Sequence, residues 1–194
     1  MKAIAIVAAA VAMSGCVSPI VTRKPAQQVD FSKFQSVTYK VHASENAEYG
    51  DGEDGVKYGQ DTIALIDALL STRLAGMGHK VVARTDDHDL EVDVDVTVVK
   101  PGSRAARIWV GFGAGRAVTL FDARFIGPDG AVLASFQGGR AFTGMEWNVS
   151  PWAGKSDISA SAATRCVDQI ETFMANGGVF PTTGKTDAMS GVAH

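Results

Sequence analysis

The sequence predicts an α+β fold: a single, largely antiparallel twisted sheet of about five strands with two helices packed on one face. Three observations carry that expectation. Leu90 to Val99 alternates, with Leu90, Val92, Val94, Val96 and Val98 on one side and Glu91, Asp93, Asp95, Thr97 and Val99 on the other. This is the period of a strand with one face in a core. Gly127-Pro128-Asp129-Gly130 separates two β-rich runs and marks a hairpin. Gln60–Ala75 and Ser156–Ala175 repeat apolar residues at spacings of three and four, the period of helices that bury one stripe.

Taken in order, Phe34–His42 is β-rich and is expected to be the first strand. Ala43–Tyr58 contains Gly50, Gly52 and Gly55, with Gly59 just beyond, and five acids; it reads as a mobile acidic loop. Its acids do not meet the ligand spacing of a calcium-binding helix-loop-helix. The first helix, Gln60–Ala75, is expected to bury Ile63, Ile66, Leu69, Leu70 and Leu74, with Asp61 as its cap and Gly76 and Gly78 ending it. His79–Ala83 reads as a short strand and Arg84–Asp89 as a turn before Leu90–Val99. Arg116–Ile126 turns Ala117, Thr119, Phe121, Ala123 and Phe125 to one face and Asp122 and Arg124 to the other. Ala131–Gln137 returns, and Gly138-Gly139 suggests a bulge or bend before Arg140-Ala141-Phe142. After a polar loop holding Trp147, Pro151 and Trp152, the second helix is expected to bury Ile158, Ala162, Cys166, Ile170 and Phe173 or Met174, and to stop at Asn176-Gly177-Gly178. Cys166 on that stripe reads as a small hydrophobe.

The N-terminus reads as an address. Met1-Lys2 precedes an apolar run, Ala3–Ala12, too short to span a bilayer, which takes about 20 residues, but suited to a secretory signal peptide. Ala12-Met13-Ser14-Gly15-Cys16 resembles a bacterial lipobox, with Met13 where leucine is usual. The resemblance makes Cys16 the lipidated first residue of the mature chain, and Val17 after it, rather than Asp, favours the outer membrane by similarity to enterobacterial sorting rules. The implied organisation is a signal peptide at 1–15, a lipidated tether at 16–30 holding the domain off the membrane, one α+β domain at 31–180 and a disordered tail at 181–194. With 194 residues and 46% hydrophobic content, a core of ordinary size is available. With Cys16 acylated, Cys166 has no partner for an intrachain disulfide.

Net charge is only −3, which gives no whole-chain case for nucleic acid. The charge is unevenly spread. Val41–Val99 carries 13 acids and 4 bases, net −9, and Lys100–Arg140 carries 6 bases and 2 acids, net +4. Either the two stretches pair within one sheet, or the basic one faces an anionic partner.

The segment most suggestive of function is Pro101–Arg116, in which Arg104, Arg107 and Arg116 surround Trp109, Phe112 and a Gly-x-Gly-x-Gly run at Gly111, Gly113 and Gly115. A dinucleotide fingerprint needs a helix after its glycines, whereas the residues from Arg116 on alternate as a strand. No Walker-type Gly-x-x-x-x-Gly-Lys-Ser/Thr and no Gly-x-Ser-x-Gly occurs. His88, among Asp86, Asp87 and Asp89, reads as a solvated turn and not as a metal centre. Glu91, Asp93 and Asp95 share a surface-like face, and a glycosidase pair among them has no further support. The alternating glycines leave one side of an extended chain bare, either as a structural bend or as a contact surface for another backbone, ring or sugar.

With its lipoprotein signal, a Gly-Ser-Arg-Ala-Ala-Arg approach, Val-Gly-Phe-Gly-Ala-Gly-Arg-Ala and a strand leading to a Gly-x-x-Gly hairpin, the chain resembles the bacterial lipoprotein family known as domain of unknown function 4410. The resemblance spans about Phe31–Gly178, most specifically Pro101–Ala117, and implies an envelope lipoprotein without an established activity. The expectation is therefore a non-catalytic outer-membrane lipoprotein facing the periplasm, held by the bilayer through acylated Cys16, with no cofactor and no nucleic acid. Its partner would be an envelope protein or further copies of itself, met through Arg104, Arg107, Trp109, Gly111, Phe112, Gly113, Gly115 and Arg116. The alternatives are a module binding anionic glycan or lipid headgroups, and a periplasmic hydrolase that would join His79 or His88 to a carboxylate and a serine.

Overall fold

The computed structural model describes residues 21–22, 28–103, 116–142 and 154–180. The elements are β1 (Val21–Thr22), a 3-10 turn (Phe31–Lys33), β2 (Ser36–Tyr49), α1 (Gly52–Gly76), β3 (Lys80–Val81), β4 (Leu90–Lys100), β5 (Ala117–Ile126), β6 (Val132–Phe142) and α2 (Lys155–Ala175). The strands form one open sheet in the order β1-β6-β5-β4-β2-β3, in which β1 and β3 are two residues each.

The sheet is mixed rather than largely antiparallel. β2 runs parallel to both β3 and β4, while β4, β5, β6 and β1 alternate in direction. The cause is α1: it carries the chain back across one face of the sheet, so the next strands enter from the same end as β2. Asp89 fixes the start of that parallel pair. Its Oδ2 accepts from the backbone N–H groups of Gln35 (3.1 Å) and Ser36 (3.0 Å), and its own N–H donates to Ser36 Oγ at 3.1 Å. The backbone N–H of Ser36, foremost among these donors, holds the Asp89 carboxyl below its usual range. A carboxyl depressed by folding stabilises above its unfolded pKa and loses that contribution as pH falls through the folded one. Asp89→Asn should therefore unfold at lower urea than the wild type near neutral pH, with the gap closing in titrations taken from about pH 4 down to about pH 2.

The expected acidic loop at Ala43–Tyr58 is instead the second half of β2 and the first turns of α1. Gly52 supplies a φ of +67°, and Gly50, Gly55 and Gly59 serve close approach. A Cβ on Gly55 would lie 2.0 Å from the Gly50 carbonyl oxygen, one on Gly59 would lie 2.2 Å from the Tyr49 ring, and one on Gly50 would meet Pro101 at 2.6 Å. The early start adds Tyr58 to a buried stripe of Thr62, Ile66, Leu70 and Leu74; Ile63 is half-buried, and Leu69, expected inside, lies at the edge of the stripe and is exposed.

α2 buries Ile158, Ser159, Ala163, Cys166, Val167, Ile170, Phe173 and Met174, with Ala162 at the margin. Thr62 donates to the Tyr58 carbonyl at 2.8 Å, so the 2.8 Å contact between Thr62 and Ser159 takes the Ser159 proton and joins the helices. Burial pushes the Cys166 thiol up, leaving it protonated and unreactive.

In β4, Leu90, Val92, Val94 and Val96 are buried as expected, but the register shifts between Val96 and Val98, so Val99 is buried and Val98 only half-buried. A bulge at Thr97 adds one residue and turns the following side chains over. β5 buries all five residues assigned to its inner face. The Gly127–Gly130 turn closes with Gly130 N–H to Gly127 O at 2.9 Å, and Gly130 takes φ +78°. Gly138-Gly139 does not bulge: Phe121 pairs with Gly138 and Leu120 with Gly139 in unbroken register, with Gly139 at φ +149°. A Cβ on Gly138 would strike the Phe121 ring at 2.4 Å, so the glycine admits that ring. Gln169 caps the exposed strand edge there, accepting from Gly139 N–H at 3.0 Å and donating to Gly139 O at 3.2 Å.

Candidate functional site

The core and helices cover one sheet face, so functional groups are confined to the open face, the strand ends and the grooves between elements. On the open face, Lys40 and His42 of β2 lie beside Asp93 and Asp95 of β4, and Arg124 of β5 pairs in register with Asp93. Asp93 is buried, and both its oxygens are engaged: Oδ1 with His42 Nε2 at 2.9 Å and Oδ2 with Arg124 Nη2 at 2.6 Å. His42 Nδ1 faces the Ala43 carbonyl at 3.2 Å and Asp95 Oδ1 at 3.7 Å. Glu91 meets Arg84 at 3.4 Å. Glu91 is thus partnered by Arg84, and Asp93 by Arg124 and His42, whereas Asp95 Oδ1 is buried without a hydrogen-bond partner among the described residues.

Chemically, this cluster is a cross-strand clamp. An aspartate whose two oxygens both accept charge-assisted bonds is a poor proton acceptor for a substrate. Asp95 stands opposite Asp122 in register, beside a cavity of about 280 Å³ lined also by Arg124 and Ser135. Among the described residues, no group of three or more histidines, cysteines, aspartates or glutamates is arranged to hold a metal ion.

A larger groove, about 830 Å³, lies between the 3-10 turn and the C-terminal ends of both helices. It is lined by Asp30, Ser32 and His79, the residue types a hydrolase would need. Their bonds run elsewhere. Ser32 Oγ donates to Asp30 Oδ1 at 2.6 Å, and that bond, first among its causes, lowers the Asp30 pKa. His79 Nδ1 engages the Phe34 carbonyl at 2.7 Å, and no hydrogen bond joins it to Ser32. The contact between nucleophile and base that defines this chemistry is not made. His88 Nδ1 faces the Asp86 carbonyl at 2.9 Å within its turn.

Cys16, Arg104, Arg107, Trp109, Gly111, Phe112, Gly113 and Gly115 lie outside the described residues, as does the tail 181–194. The two ends of the Pro101–Arg116 segment are described. Pro101 is buried against Gly50, Gly102 takes φ +67°, and Arg116 is exposed immediately before β5. β5 follows the glycine run as a strand, which removes the helix a dinucleotide loop requires. Lys100 pairs with Val118, so residues 101–116 stand where a turn of about two residues would close the hairpin.

The family model for a domain of unknown function (DUF4410) matches residues 43–144, from the middle of β2 to just past β6. No curated protein matches the chain. Among solved structures, a PelC dodecamer from Paraburkholderia phytofirmans is similar over 79% of this chain and 96% of that one, at 16% identity and TM-score 0.43. A DUF330 protein from Xanthomonas campestris is similar over 80% and 88%, at 15% identity and TM-score 0.44. An uncharacterized lipoprotein B from Nitrosomonas europaea is similar over 74% and 86%, at 14% identity and TM-score 0.33. No helix among the described residues is long and apolar enough to cross a membrane. With more than half its length matched, and with β4, the Gly/Arg segment and the β5–β6 hairpin inside the match, the chain belongs to the DUF4410 family.

Proposed function

We propose that the protein is a non-catalytic outer-membrane lipoprotein, acylated at Cys16, whose α+β body faces the periplasm and binds an envelope partner through residues 101–116. The observation that carries the binding role is the hairpin between β4 and β5. Its strands pair as far as Lys100 and Val118, and residues 101–117 connect them. A long connection where the register needs a tight turn is retained for something other than pairing. Its composition suits contact: Arg104, Arg107 and Arg116 offer fork-shaped donors, and Trp109 and Phe112 offer apolar area beside bare glycine backbone. Glu91 and Asp93 already have partners in Arg84, Arg124 and His42, which favours an outside role for Arg104 and Arg107. The lipid anchor rests on the Lys2, Ala3–Ala12 and Ala12–Cys16 pattern.

A photoreactive residue at Trp109 or Arg107 in living cells should give a discrete crosslinked band. Its mass would separate an envelope protein from a second copy of this chain. Absence of any specific band across growth conditions would overturn the reading. Arg104, Arg107 and Arg116 also suit the headgroup of an anionic glycan or lipid. Binding to such a ligand that survives alanine at all three positions would rule that alternative out.

A further inference from the structure

We propose that the groove between the 3-10 turn and the C-terminal ends of the two helices binds a soft monovalent metal ion, Cu(I), with His79, Met77 and Met174 as its ligands. The site is separate from residues 101–116 and does not depend on their role. The helix pair builds it. Lys155 donates to Asp54 at 3.2 Å, Ser159 meets Thr62 at 2.8 Å, and Arg73 reaches Asp168 at 3.2 Å and Glu171 at 2.9 Å. These contacts advance along both helices together, so α1 and α2 run parallel and end side by side. Met77 caps the end of α1, and Met174 lies in the last turn of α2. They are the two methionines among the described residues, and both line the groove with His79.

His79 is held as a metal-binding histidine is held. The residue is only 8% exposed. Its Nδ1 lies 2.7 Å from the Phe34 carbonyl. A carbonyl only accepts, so Nδ1 carries the proton and the neutral ring has its lone pair on Nε2. A ring N–H fixed by a backbone carbonyl is the outer contact that orients a ligating imidazole. Nε2 makes no hydrogen bond to the described residues and is not sealed from solvent, so it opens on the groove that His79 lines. The one carboxylate lining the groove among the described residues, that of Asp30, is engaged: Oδ1 accepts from Ser32 Oγ at 2.6 Å, and Oδ2 pairs with Lys33 at 3.5 Å. The uncommitted donors are therefore one imidazole nitrogen and two thioethers. That set favours Cu(I) over Zn(II) and the hard cations, whose sites are built on thiolate, several imidazoles or carboxylate. The unbranched methionine side chains let both sulfurs turn to one ion, and the negative ends of two parallel helices favour a cation.

The test titrates the full chain, carrying Cys16→Ser to remove that thiol, against Cu(I) held by the chromogenic competitor bicinchoninate under anaerobic ascorbate; Cys166 is buried and stays out of reach. The chain should take one equivalent of copper from the competitor, and excess Zn(II) should not displace it. Met77→Leu and Met174→Leu should each weaken binding by about tenfold or more, and His79→Gln likewise. Leucine keeps the volume of methionine, so the methionine variants decide the matter where His79→Gln fails to fold. Copper-edge X-ray absorption of the bound ion should show sulfur and nitrogen neighbours, with less sulfur scattering in each methionine variant. No copper taken from the competitor would overturn the site. An affinity unchanged in the Met77→Leu, Met174→Leu double variant would overturn it too, placing the ion on other donors such as Met145, Met189 or His194. Displacement of the copper by Zn(II) would do the same.

Discussion

Gly55→Ala is expected to destabilise the protein by about 3 kcal/mol or more, at the upper end of what overpacking costs. The added carbon would sit 2.0 Å from the Gly50 carbonyl oxygen and 2.1 Å from its carbon. Both neighbours are backbone, so no rotamer change relieves the clash, and the first turn of α1 must move off the end of β2. That displacement propagates. Gly50 touches Pro101, and Gly59 one turn on lies against the Tyr49 ring. Pro101 begins the connection proposed to make external contact, so the variant should also weaken crosslinking from residue 107 or 109. Gly76→Ala is the matched control. It lies in the last turn of the same helix with nothing within 4 Å of the added carbon, and should be neutral or stabilising by up to about 1 kcal/mol through helix propensity. Urea midpoints of both variants check the pair; equal midpoints would show that the glycines of this junction are not there for close approach.

The same junction explains where sequence reasoning stopped. Gly50, Gly52, Gly55 and Gly59 among acids look like a loop because composition reports backbone freedom. Gly52 does supply a φ of +67°, but Gly50, Gly55 and Gly59 admit a proline, a carbonyl and a tyrosine ring that are defined only once β2, α1 and β4 are assembled. Within α1, Ile66, Leu70 and Leu74 are buried as the period of 3.6 predicts, while Leu69 lies at the edge of that stripe and is exposed. By contrast, β4, β5 and β6 were legible because alternation is local: the inner residues of β5 follow from period two alone. Alternation failed only after Val96, where the bulge depends on pairing with both neighbours. Strand direction was not legible, since it follows from a helix crossing the sheet. Compensation of the β4 acids by arginines on a neighbouring strand was readable in outline, but His42 was not, because its nearness to Asp93 comes from the parallel register.

Phe173→Ala should cost about 3–5 kcal/mol, the range for truncating a fully buried phenylalanine. Phe173 is completely buried. Its ring centroid lies 4.6 Å from that of Phe136, 5.2 Å from Phe125, 5.2 Å from Phe180 and 6.3 Å from Phe31. The ring is thus the meeting point of α2, β5, β6, the 3-10 turn and the chain after α2. Phe31 and Phe180 depend on it most, because neither belongs to a long strand or helix that would hold it by backbone pairing. The loss should therefore be uneven. Amide exchange in the variant should accelerate first around Val29–Phe34 and Gly177–Phe180, while Val92–Val96 and Phe121–Phe125 keep their protection until global unfolding. Phe173→Leu, which retains much of the volume, should cost less than half as much as alanine. Val179→Ala, at an exposed position beside the cluster, should change stability by less than about 0.5 kcal/mol. If exchange rose uniformly across the sheet instead, the aromatic cluster would be part of one cooperative unit with β4, and the two chain ends would be held by the whole core rather than by this ring.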